Sequence, residues 1–253
     1  MILEKKITAG EKPGNPKNGI WQMFDRIAGS YDLLNHLLSF GLDILWRKKV
    51  ASFLSDRPDQ HVLDLATGTA DQLISLVRRN DKIACAVGID MSKKMLEIGT
   101  NKIRKKGLHH LITLQEGDVV QPDFDDNSFD AVTMTFGIRN IARYKKTISE
   151  MYRLLNTGGR LLILEFSLPE IKFIRSIYLI YFRHILPRIG SLISGDGSAY
   201  YYFNKTVETF PYGDDLCKLL VHAGFENVKA YSLTFGIATI YHADKLAGEK
   251  ILP

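Results

Sequence analysis

The sequence predicts an α/β protein whose core is a doubly wound, mostly parallel β-sheet of seven strands. From residue 61 onward, short apolar runs alternate with segments of helical periodicity, which is the pattern of consecutive βαβ units. The chain has 253 residues, of which 45% are hydrophobic, and this suffices for one substantial core and excludes a disordered chain. Acidic residues and a glycine follow the first apolar run, at the edge where open α/β sheets bind ligands. We therefore expect a Rossmann-like domain with a ligand at that edge.

The strands are predicted where short runs rich in branched apolar residues are bounded by turn residues. These runs cover residues 61–66, 83–89, 111–115, 129–135, 160–165, 228–232 and 238–241. The helices between them fit residues 72–80, 93–106 and 144–155. In the last of these helices the apolar residues recur on one face, and Gly158 and Gly159 are expected to supply a left-handed cap at its end.

Two parts of the chain lie outside this alternation. Residues 1–18 are rich in Lys, Gly, Pro and Asn and are predicted to form a mobile arm, which leaves 19–253 as a single domain. Within it, 19–56 are expected to be helices that pack on the sheet. The second part is 171–210, a helical insertion that we expect to act as a lid over the ligand site.

The first strand-to-helix turn, at residues 64–71, predicts the kind of cofactor. A dinucleotide fingerprint needs further glycines after Gly68, and the turn has none. Asp64 and Asp71 flank the turn, and carboxylates there stabilise a cation better than a phosphate. S-adenosylmethionine carries a sulfonium and an ammonium group and no phosphate. The charges of the turn therefore favour that ligand.

Two further carboxylates are predicted at neighbouring strand ends. Asp90 ends the second strand, where it can accept hydrogen bonds from ribose hydroxyls, as an acidic residue does in dinucleotide folds. Asp118 and Val119 follow the third strand, where a carboxylate beside a free backbone N–H can pair with an adenine edge. Each aspartate alone could merely cap a helix or a turn. Together at consecutive strand ends they favour one binding pocket.

Composition restricts the partners and the compartment. The formal net charge of +5 and pI near 9.0 permit nucleic acid, an anionic membrane surface or acidic ligands, and alone select none of them. The basic run 102–106 is interpreted as a solvated helix end. The seven histidines form no HxxxH pair, so no metal site is expected. No signal peptide or long apolar run is visible, and we expect a cytoplasmic protein.

The sequence resembles the class I methyltransferases, and more closely the UbiE/MenG family of quinone-biosynthesis C-methyltransferases. The resemblance spans about residues 24–245. It rests on Tyr-Asp-Leu-Leu-Asn at 31–35 continuing to Trp46, on Thr-Phe-Gly-Ile-Arg-Asn at 135–140, and on the segment 153–167. Three motifs in the family's order make chance agreement improbable.

The resemblance implies C-methylation of a prenylated quinol, most readily demethylmenaquinol to menaquinol, with S-adenosylmethionine as methyl donor. It adds Thr69 and Thr135 to the predicted contacts of the methyl donor, so that the full set is Asp64, Gly68, Thr69, Asp90, Asp118, Val119 and Thr135. The chain departs from the family pattern where Ala70 replaces a usual Gly, Asp43 a usual His, Leu34 a usual Met and Asn156 a usual Lys. We do not transfer the role of that His to Asp43.

Arg139 and Asn140 are the predicted catalytic residues. A quinol carbon becomes nucleophilic when a phenolic proton leaves, and these side chains follow the fourth strand, where they could hold the phenolate oxygen or a water. Arg139 would act electrostatically because arginine stays protonated. Alternatively, Arg139 is a structural ion-pair partner and Asn140 a helix cap. Tyr31 is a weaker candidate.

Other functions remain open at this point. One is C-methylation of a polyprenyl-methoxy-benzoquinol in ubiquinone biosynthesis, and another is methylation of RNA or of a small-molecule oxygen by the same fold. No Asn-Pro-Pro-Tyr-type motif for a nitrogen acceptor is present, and no nucleic-acid partner is expected. A regulator that binds S-adenosylmethionine without catalysis is the alternative from a different class.

Residues 171–186, at the start of the insertion over the acceptor site, are predicted to form an amphipathic helix. On a helical wheel Lys172, Arg175 and Arg183 share a wedge, opposite a cluster of apolar residues that includes Ile174 and Tyr178. A prenyl tail resides in lipid, so this helix is expected to touch the tail or the inner face of the cytoplasmic membrane. The alternative is ordinary packing on the domain or on a second subunit of a homodimer.

Overall fold

The computed structural model describes residues 19–189 and 197–246, so the predicted arm at 1–18 lies outside the described residues. It contains a seven-stranded sheet in the order β3-β2-β1-β4-β5-β7-β6. The strands are β1 Gln60–Leu65, β2 Ile83–Asp90, β3 Ile112–Glu116, β4 Phe129–Thr135, β5 Leu155–Phe166, β6 Glu226–Leu233 and β7 Ala238–Lys245. The helices are α1 Ile20–Leu38, α2 Leu42–Ala51, α3 Asp71–Val77, α4 Lys93–Lys105, α5 Tyr144–Leu154, α6 Lys172–Ile180, α7 Gly197–Thr209 and α8 Asp214–His222.

The sheet is mostly parallel, as predicted. β1 pairs in parallel with β2 and β4, β2 with β3, and β4 with β5, whereas β7 pairs antiparallel with both β5 and β6. Alternate residues of the central strands enter two different hydrophobic clusters. Leu63 packs with residues of α5 and α8, and Val62 packs with residues of α2 and α3. Because helices cover both faces, the strands are apolar on both sides, which explains their continuous apolar runs.

The chain reverses its direction of winding at β1. From β1 it moves outward to β2 and β3, then crosses back to β4 on the other side of β1. The carboxyl ends of β1, β2 and β4 therefore border a crevice, because the helices that follow β1 and β4 leave in opposite directions. The acidic residues that the sequence analysis predicted at strand ends lie at this crevice.

One local prediction was wrong. Gly158 and Gly159 do not cap α5, because the helix ends at Leu154 and β5 begins at the next residue. The glycines lie in an irregular part of β5, where the pairing with β4 shifts between Phe129 and Ala131. A Cβ on Gly159 would approach the carbonyl oxygen of Asn156 to 2.7 Å, so the close backbone approach requires glycine.

A third hydrophobic cluster lies above the carboxyl edge of the sheet. It joins α1, through Ile27 and Leu34, to Tyr178 of α6, to Phe182 and to Val207 of α7. Helix α1 thus packs against the insertion helices α6 and α7, which are far apart from it in sequence. Together they form a helical cover over the edge at which the ligand was expected.

The predicted helix at 171–186 has a different shape from the one expected. α6 ends at Ile180 and continues as a π-helical turn, Tyr181–Ile185, before helical residues 186–189. Helical conformation therefore continues through Pro187, and the π-helical turn ends two residues before this proline, which lacks an N–H donor. None of the described helices is both long and apolar enough to span a bilayer.

Candidate active site

A cavity of about 130 Å³, which we call the strand-end cavity, lies at the carboxyl edge of the sheet. Its floor and sides come from the ends of four strands, at Gly68, Asp90, Asp118, Val119 and Thr135. Residues of α1 close it from above, namely Ile20, Trp21, Phe24 and Tyr31. Among the described residues that line it there are two carboxylates and no Lys, Arg or His, so the cavity suits a cationic ligand better than a phosphate.

Asp90 both lines this cavity and shapes it. Its Oδ2 accepts a hydrogen bond from the backbone N–H of Gly68 at 2.9 Å, and its Oδ1 accepts one from the N–H of Ser92 at 2.8 Å. Burial raises the pKa of the Asp90 carboxyl above its ordinary value, and the hydrogen bonds oppose that effect. Each oxygen keeps lone-pair capacity for a ligand hydroxyl. The side chain thus ties the end of β2 to the turn after β1.

Asp118 and Thr135 are similarly held. Asp118 Oδ1 accepts a hydrogen bond from the N–H of Val120 at 2.9 Å, which fixes the loop after β3. Thr135 Oγ1 donates to Gln72 Oε1 at 3.1 Å, which joins β4 to α3. Five of the seven residues that were predicted to contact the methyl donor therefore line one cavity.

The other two predicted contacts of the methyl donor, Asp64 and Thr69, do not line the strand-end cavity. Asp64 is 1% exposed, and its Oδ1 accepts the hydroxyl hydrogen of Thr133 on β4 at 2.5 Å. Burial raises the pKa of Asp64 to about 6. Asp64 therefore joins β1 to β4 beneath the turn. Its side chain points across the sheet and not out of its edge, which the position at a strand end could not reveal.

Thr69 takes part in a polar cluster that holds α1 over the strand-end cavity. Its hydroxyl donates to Asp32 Oδ1 of α1 at 2.6 Å. Lys102 Nζ of α4 contacts both Asp32 Oδ2 and Asp71 Oδ1 at 2.6 Å. Lys102 is thus not part of a solvated helix end, as the sequence suggested, but connects α1, α3 and α4. A second contact, from the Ser92 hydroxyl to Asp25 of α1, holds the preceding turns of the helix.

A second cavity, of about 170 Å³, lies between the cover helices, and we call it the helical cavity. Most of its lining is apolar or aromatic, with contributions from α1, the α1–α2 turn, α6, the π-helical turn and α7. Arg139 is the one charged residue among the described residues that line it. Such a lining suits a ring with a hydrocarbon substituent, and it offers a single cation for an oxygen of that ring.

Arg139 is held in a fixed position by buried neighbours. Its Nη1 donates to Glu165 Oε1 and to the carbonyl oxygen of Phe136, each at 2.6 Å, and its side chain is 6% exposed. The guanidinium lies 5.3 Å from the ring centroid of Phe166 and 4.9 Å from that of Phe203. Its buried Nε has no hydrogen-bond partner among the described residues. Arg139 is therefore an ion-pair partner with donor capacity left over.

The two cavities share part of their walls. Phe24, Tyr31, Phe136 and Asn140 line both of them. Asn140 Nδ2 donates to the carbonyl oxygen of Phe136 at 3.3 Å, and Phe136 itself has a φ of +57°, a strained backbone for a bulky residue. The two cavities therefore adjoin each other at these four residues. Burial raises the pKa of Tyr31 above its ordinary value, so its hydroxyl is a donor at neutral pH.

Sequence reasoning missed Tyr202. This residue of α7 lines the helical cavity, and its buried hydroxyl has no hydrogen-bond partner among the described residues. Tyr202 belongs to the aromatic run 200–203, and that run was the only available signal. Nothing in the sequence shows which member of the run faces a cavity.

Two departures from the family pattern have structural explanations. Asp43 is 1% exposed and bonds Nδ1 of His36 and the hydroxyl of Ser39, each at 2.8 Å, so it stabilises the α1–α2 junction and lines neither cavity. Ala70 is buried and has a φ of +64° just before α3. That left-handed conformation favours glycine, which accounts for the usual residue there.

Comparison with known proteins agrees with this geometry. A model of the ubiE/COQ5 methyltransferase family matches residues 12–245. The demethylmenaquinone methyltransferase of Bacteroides fragilis is 40% identical over 242 residues, covering 96% of this chain and 98% of the relative. That of Thermus thermophilus is 42% identical over 223 residues, covering 88% and 100%. The ubiquinone/menaquinone biosynthesis C-methyltransferase UbiE of Geotalea daltonii is 39% identical over 226 residues, covering 89% and 96%.

Solved structures support the fold. The cyclase SpnF superposes with a TM-score of 0.67 at 16% identity, covering 95% of this chain and 100% of the cyclase. A S-adenosylmethionine-dependent methyltransferase of Thermotoga maritima superposes with a TM-score of 0.62 at 20% identity, covering 89% and 100%. These identities show only the shared architecture. The near full-length family match and the relatives at about 40% identity go further, and this chain belongs to the ubiE/COQ5 methyltransferase family.

Proposed function

We propose that this chain is a S-adenosylmethionine-dependent C-methyltransferase that converts demethylmenaquinol to menaquinol. The observation that carries the proposal is the pair of adjoining cavities. The strand-end cavity is acidic and the helical cavity is apolar with one cation, and both are lined by Tyr31, Phe136 and Asn140. This arrangement suits a cationic methyl donor and a greasy aromatic acceptor that meet at a common wall.

The residues of the strand-end cavity fit S-adenosylmethionine. Asp90 and Asp118 offer carboxylate oxygens, Val119 lies beside them, and no cation in the lining would repel the sulfonium or ammonium group. When bound, S-adenosylmethionine supplies an electrophilic methyl group. α1 then lies over the donor, held by the contacts of Asp32 with Thr69 and Lys102. Asp64 and Thr69 support the site from outside its lining.

The residues of the helical cavity fit the acceptor. The carbon to be methylated becomes nucleophilic as the neighbouring ring oxygen gains negative charge, and Arg139 stabilises that charge electrostatically. Glu165 holds the guanidinium in place, so little reorganisation is needed. Asn140 lies at the common wall, where it can orient the oxygen or a water that takes the phenolic proton. The aromatic walls exclude bulk water from this step.

The nature of the relatives supports the naphthoquinol acceptor. Those from Bacteroides fragilis and Thermus thermophilus are demethylmenaquinone methyltransferases, whereas UbiE of Geotalea daltonii carries the name of both quinone pathways. A benzoquinol precursor of ubiquinone is the competing acceptor. Both rings have an oxygen next to the methylated carbon, so the same Arg139 would serve either one.

Transfer of a labelled methyl group tests the proposal. The purified chain is mixed with methyl-labelled S-adenosylmethionine and either reduced demethylmenaquinone or a reduced prenyl-methoxy-benzoquinone. We expect label in the naphthoquinol product and at least about 10-fold lower kcat/KM for the benzoquinol, a difference of about 1.4 kcal/mol. The oxidised quinones are the control, because they lack the phenolic proton and the electron-rich ring. Tight donor binding without label in any quinol would instead indicate a non-catalytic binder.

A further inference from the structure

An exposed apolar surface lies beside the helical cavity. On α6, Phe173, Ile177 and Ile180 are 74%, 54% and 59% exposed. At the α1–α2 turn, Phe40 is 78% exposed and Leu37 is 48% exposed. We call these five residues the apolar rim. The three rim residues of α6 lie on a different side of the helix from the buried Tyr178. This helix is therefore apolar on two sides, whereas the sequence suggested one apolar side.

The apolar rim is continuous with the helical cavity. Phe173, Ile177 and Tyr181 follow each other at intervals of four residues, so they form one row along the helix. Tyr181 and Phe40 both line the cavity, their ring centroids are 5.9 Å apart, and the Tyr181 hydroxyl donates to the Leu38 carbonyl oxygen at 2.8 Å. A hydrocarbon chain leaving the cavity beside these two rings would pass directly onto the apolar rim.

Most charges near the apolar rim are positive, although Glu170 is exposed just before α6. Lys172 and Arg175 of α6 are exposed and form no direct ion pair within the described part of the chain, although Arg175 lies close enough to Glu208 to help lower the pKa of that carboxyl. Residues 171–189 contain no Asp or Glu. Arg183 differs from the sequence expectation, because its Nε and Nη2 donate to the two carboxylate oxygens of Glu208 at 2.9 and 2.6 Å. The cations available to a partner on α6 are therefore Lys172 and Arg175.

We propose that the apolar rim docks on the surface of an anionic phospholipid bilayer, with Lys172 and Arg175 against the phosphate groups. Exposed aromatic and branched side chains enter the boundary between headgroups and acyl chains, and nearby cations add attraction to anionic lipid. The docked orientation rests on the proposed function, because it opens the helical cavity toward the layer in which a prenylated quinol resides. The acceptor would then enter without crossing water.

A second copy of the chain is a weaker occupant of this surface. A two-fold dimer places the same patch of both subunits together, so the unpaired cations of one α6 would meet those of the other. No carboxylate on residues 171–189 could neutralise them. An anionic bilayer has the complementary charge, and this decides between the two.

Vesicle co-sedimentation tests the proposal with the full chain. The vesicles contain phosphatidylglycerol and phosphatidylcholine in equal amounts, with pure phosphatidylcholine for comparison. The variants are Phe173→Ser/Ile177→Ser for the rim and Lys172→Glu/Arg175→Glu for the charges. None of these four residues lines either cavity. The matched controls are Val221→Ser, which is equally exposed on α8, and Arg104→Glu/Lys105→Glu, which makes the same charge change on α4.

We expect the wild type to bind the anionic vesicles, each α6 variant to bind at least about 10-fold more weakly, and both controls to bind like the wild type. Raising the salt concentration should weaken binding of the wild type. The proposal is wrong if the wild type does not bind, or if the α6 variants bind as it does. It is also wrong if sedimentation velocity shows a dimer that Phe173→Ser/Ile177→Ser dissociates, because the rim is then a subunit interface.

Turnover of a short-chain demethylmenaquinol in buffer, without vesicles, separates this proposal from the proposed function. We expect wild-type turnover in both α6 variants. If the wild type methylates the short-chain quinol and does not bind vesicles, docking alone fails. If the wild type binds vesicles through α6 but methylates no quinol, the proposed function is wrong and the docking proposal is supported.

Discussion

The two cavities are built in different ways although they share a wall. The strand-end cavity is made from consecutive strand ends, and its carboxylates also bond backbone N–H groups, as Asp90 does with Gly68 and Ser92. The helical cavity is made from side chains of α1, α6 and α7, which come together through packing of aromatic and aliphatic groups. The first is fixed by the sheet, and the second by contacts between distant helices.

This difference teaches which property each region controls. Substitutions in the strand-end cavity should change the affinity for S-adenosylmethionine, because that lining holds the carboxylates. Substitutions in the helical cavity should change acceptor use and turnover while the donor still binds. Residues of the helical cover lie outside the sheet, so we expect them to vary without disturbing it, which allows one fold to serve different acceptors.

The largest effect is expected for Arg139→Lys. Lysine keeps a positive charge near the buried Glu165, whereas Arg139→Ala would leave that carboxylate unpaired and destabilise the fold. Lysine lacks the planar fork, so it cannot direct one nitrogen at Glu165 and another at the acceptor oxygen. We expect kcat to fall by at least about 100-fold, while the Kd for S-adenosylmethionine changes by less than about 3-fold.

Single-turnover kinetics and calorimetric titration measure these two quantities separately. Arg143→Lys is the matched control, because Arg143 is exposed and precedes α5 in the same connection. A normal single-turnover rate in Arg139→Lys would assign Arg139 to structure alone. A large loss of donor affinity would instead remove the distinction between the two cavities.

The difference between the two cavities also determines how much of each could be predicted from the sequence. The carboxyl ends of parallel strands lie at one edge of the sheet, so Gly68, Asp90 and Asp118 could be assigned to one site from their positions, whereas Thr135 was added by the family resemblance. Asp64 could not be distinguished from them. It too ends near the edge, but its carboxylate bonds Thr133 across the sheet, and strand periodicity does not tell which direction a terminal side chain takes.

The helical cavity was largely beyond prediction. Helical periodicity gives the faces of α1, α6 and α7 but not their pairing, because more than a hundred residues separate α1 from the other two helices. Arg139 was found through the family motif, and its ion pair with Glu165 gives the structural alternative a real basis. Tyr202 and the exposure of Phe173 depend on that pairing, so only the structure shows them.

In the strand-end cavity, Asp90→Ala should weaken S-adenosylmethionine binding by about 1.5 to 3 kcal/mol, the range for hydrogen bonds to a charged group. The loss includes looser support of the turn, because the N–H groups of Gly68 and Ser92 lose their acceptor. Calorimetric titration measures it. Glu116→Ala is the control, since that exposed carboxylate ends the neighbouring strand without lining the cavity. Equal affinity in a folded Asp90→Ala protein would remove Asp90 from the donor site.

Asp64 should affect stability and not donor binding. Its folded pKa of about 6 lies above the ordinary value of 3.8, so its favourable contribution is fully present below pH 3.8 and is lost as the pH rises through 6. A pKa that is raised by about two units corresponds to about 3 kcal/mol of folding stability that the wild type loses above pH 6. The Asn amide oxygen accepts the Thr133 hydroxyl more weakly than the carboxylate does, which costs the variant about 1 kcal/mol. Asp64→Asn should therefore be more stable than the wild type by about 2 kcal/mol at pH 8.

Urea unfolding between pH 4 and pH 8 tests this, since the advantage of Asp64→Asn should disappear toward pH 4. Asp59→Asn, at an exposed position, should follow the wild-type pH dependence. A constant difference across the range would show that Asp64 does not titrate there. A higher Kd for S-adenosylmethionine would show that Asp64 acts in the donor site after all.

The smallest effect is expected for Tyr202→Phe in the helical cavity. Its buried hydroxyl has no hydrogen-bond partner among the described residues, so removing it leaves no protein group unpaired. If the hydroxyl donates to an oxygen of the acceptor, its loss should raise the KM for the quinol by about 3- to 10-fold, corresponding to about 1 kcal/mol for one neutral hydrogen bond. The Kd for S-adenosylmethionine should not change, because Tyr202 does not line the strand-end cavity. Tyr231→Phe on β6, far from both cavities in the sheet order, is the control. An unchanged KM would mean that Tyr202 only fills space, and the acceptor oxygen would then depend on Arg139 and Asn140 alone.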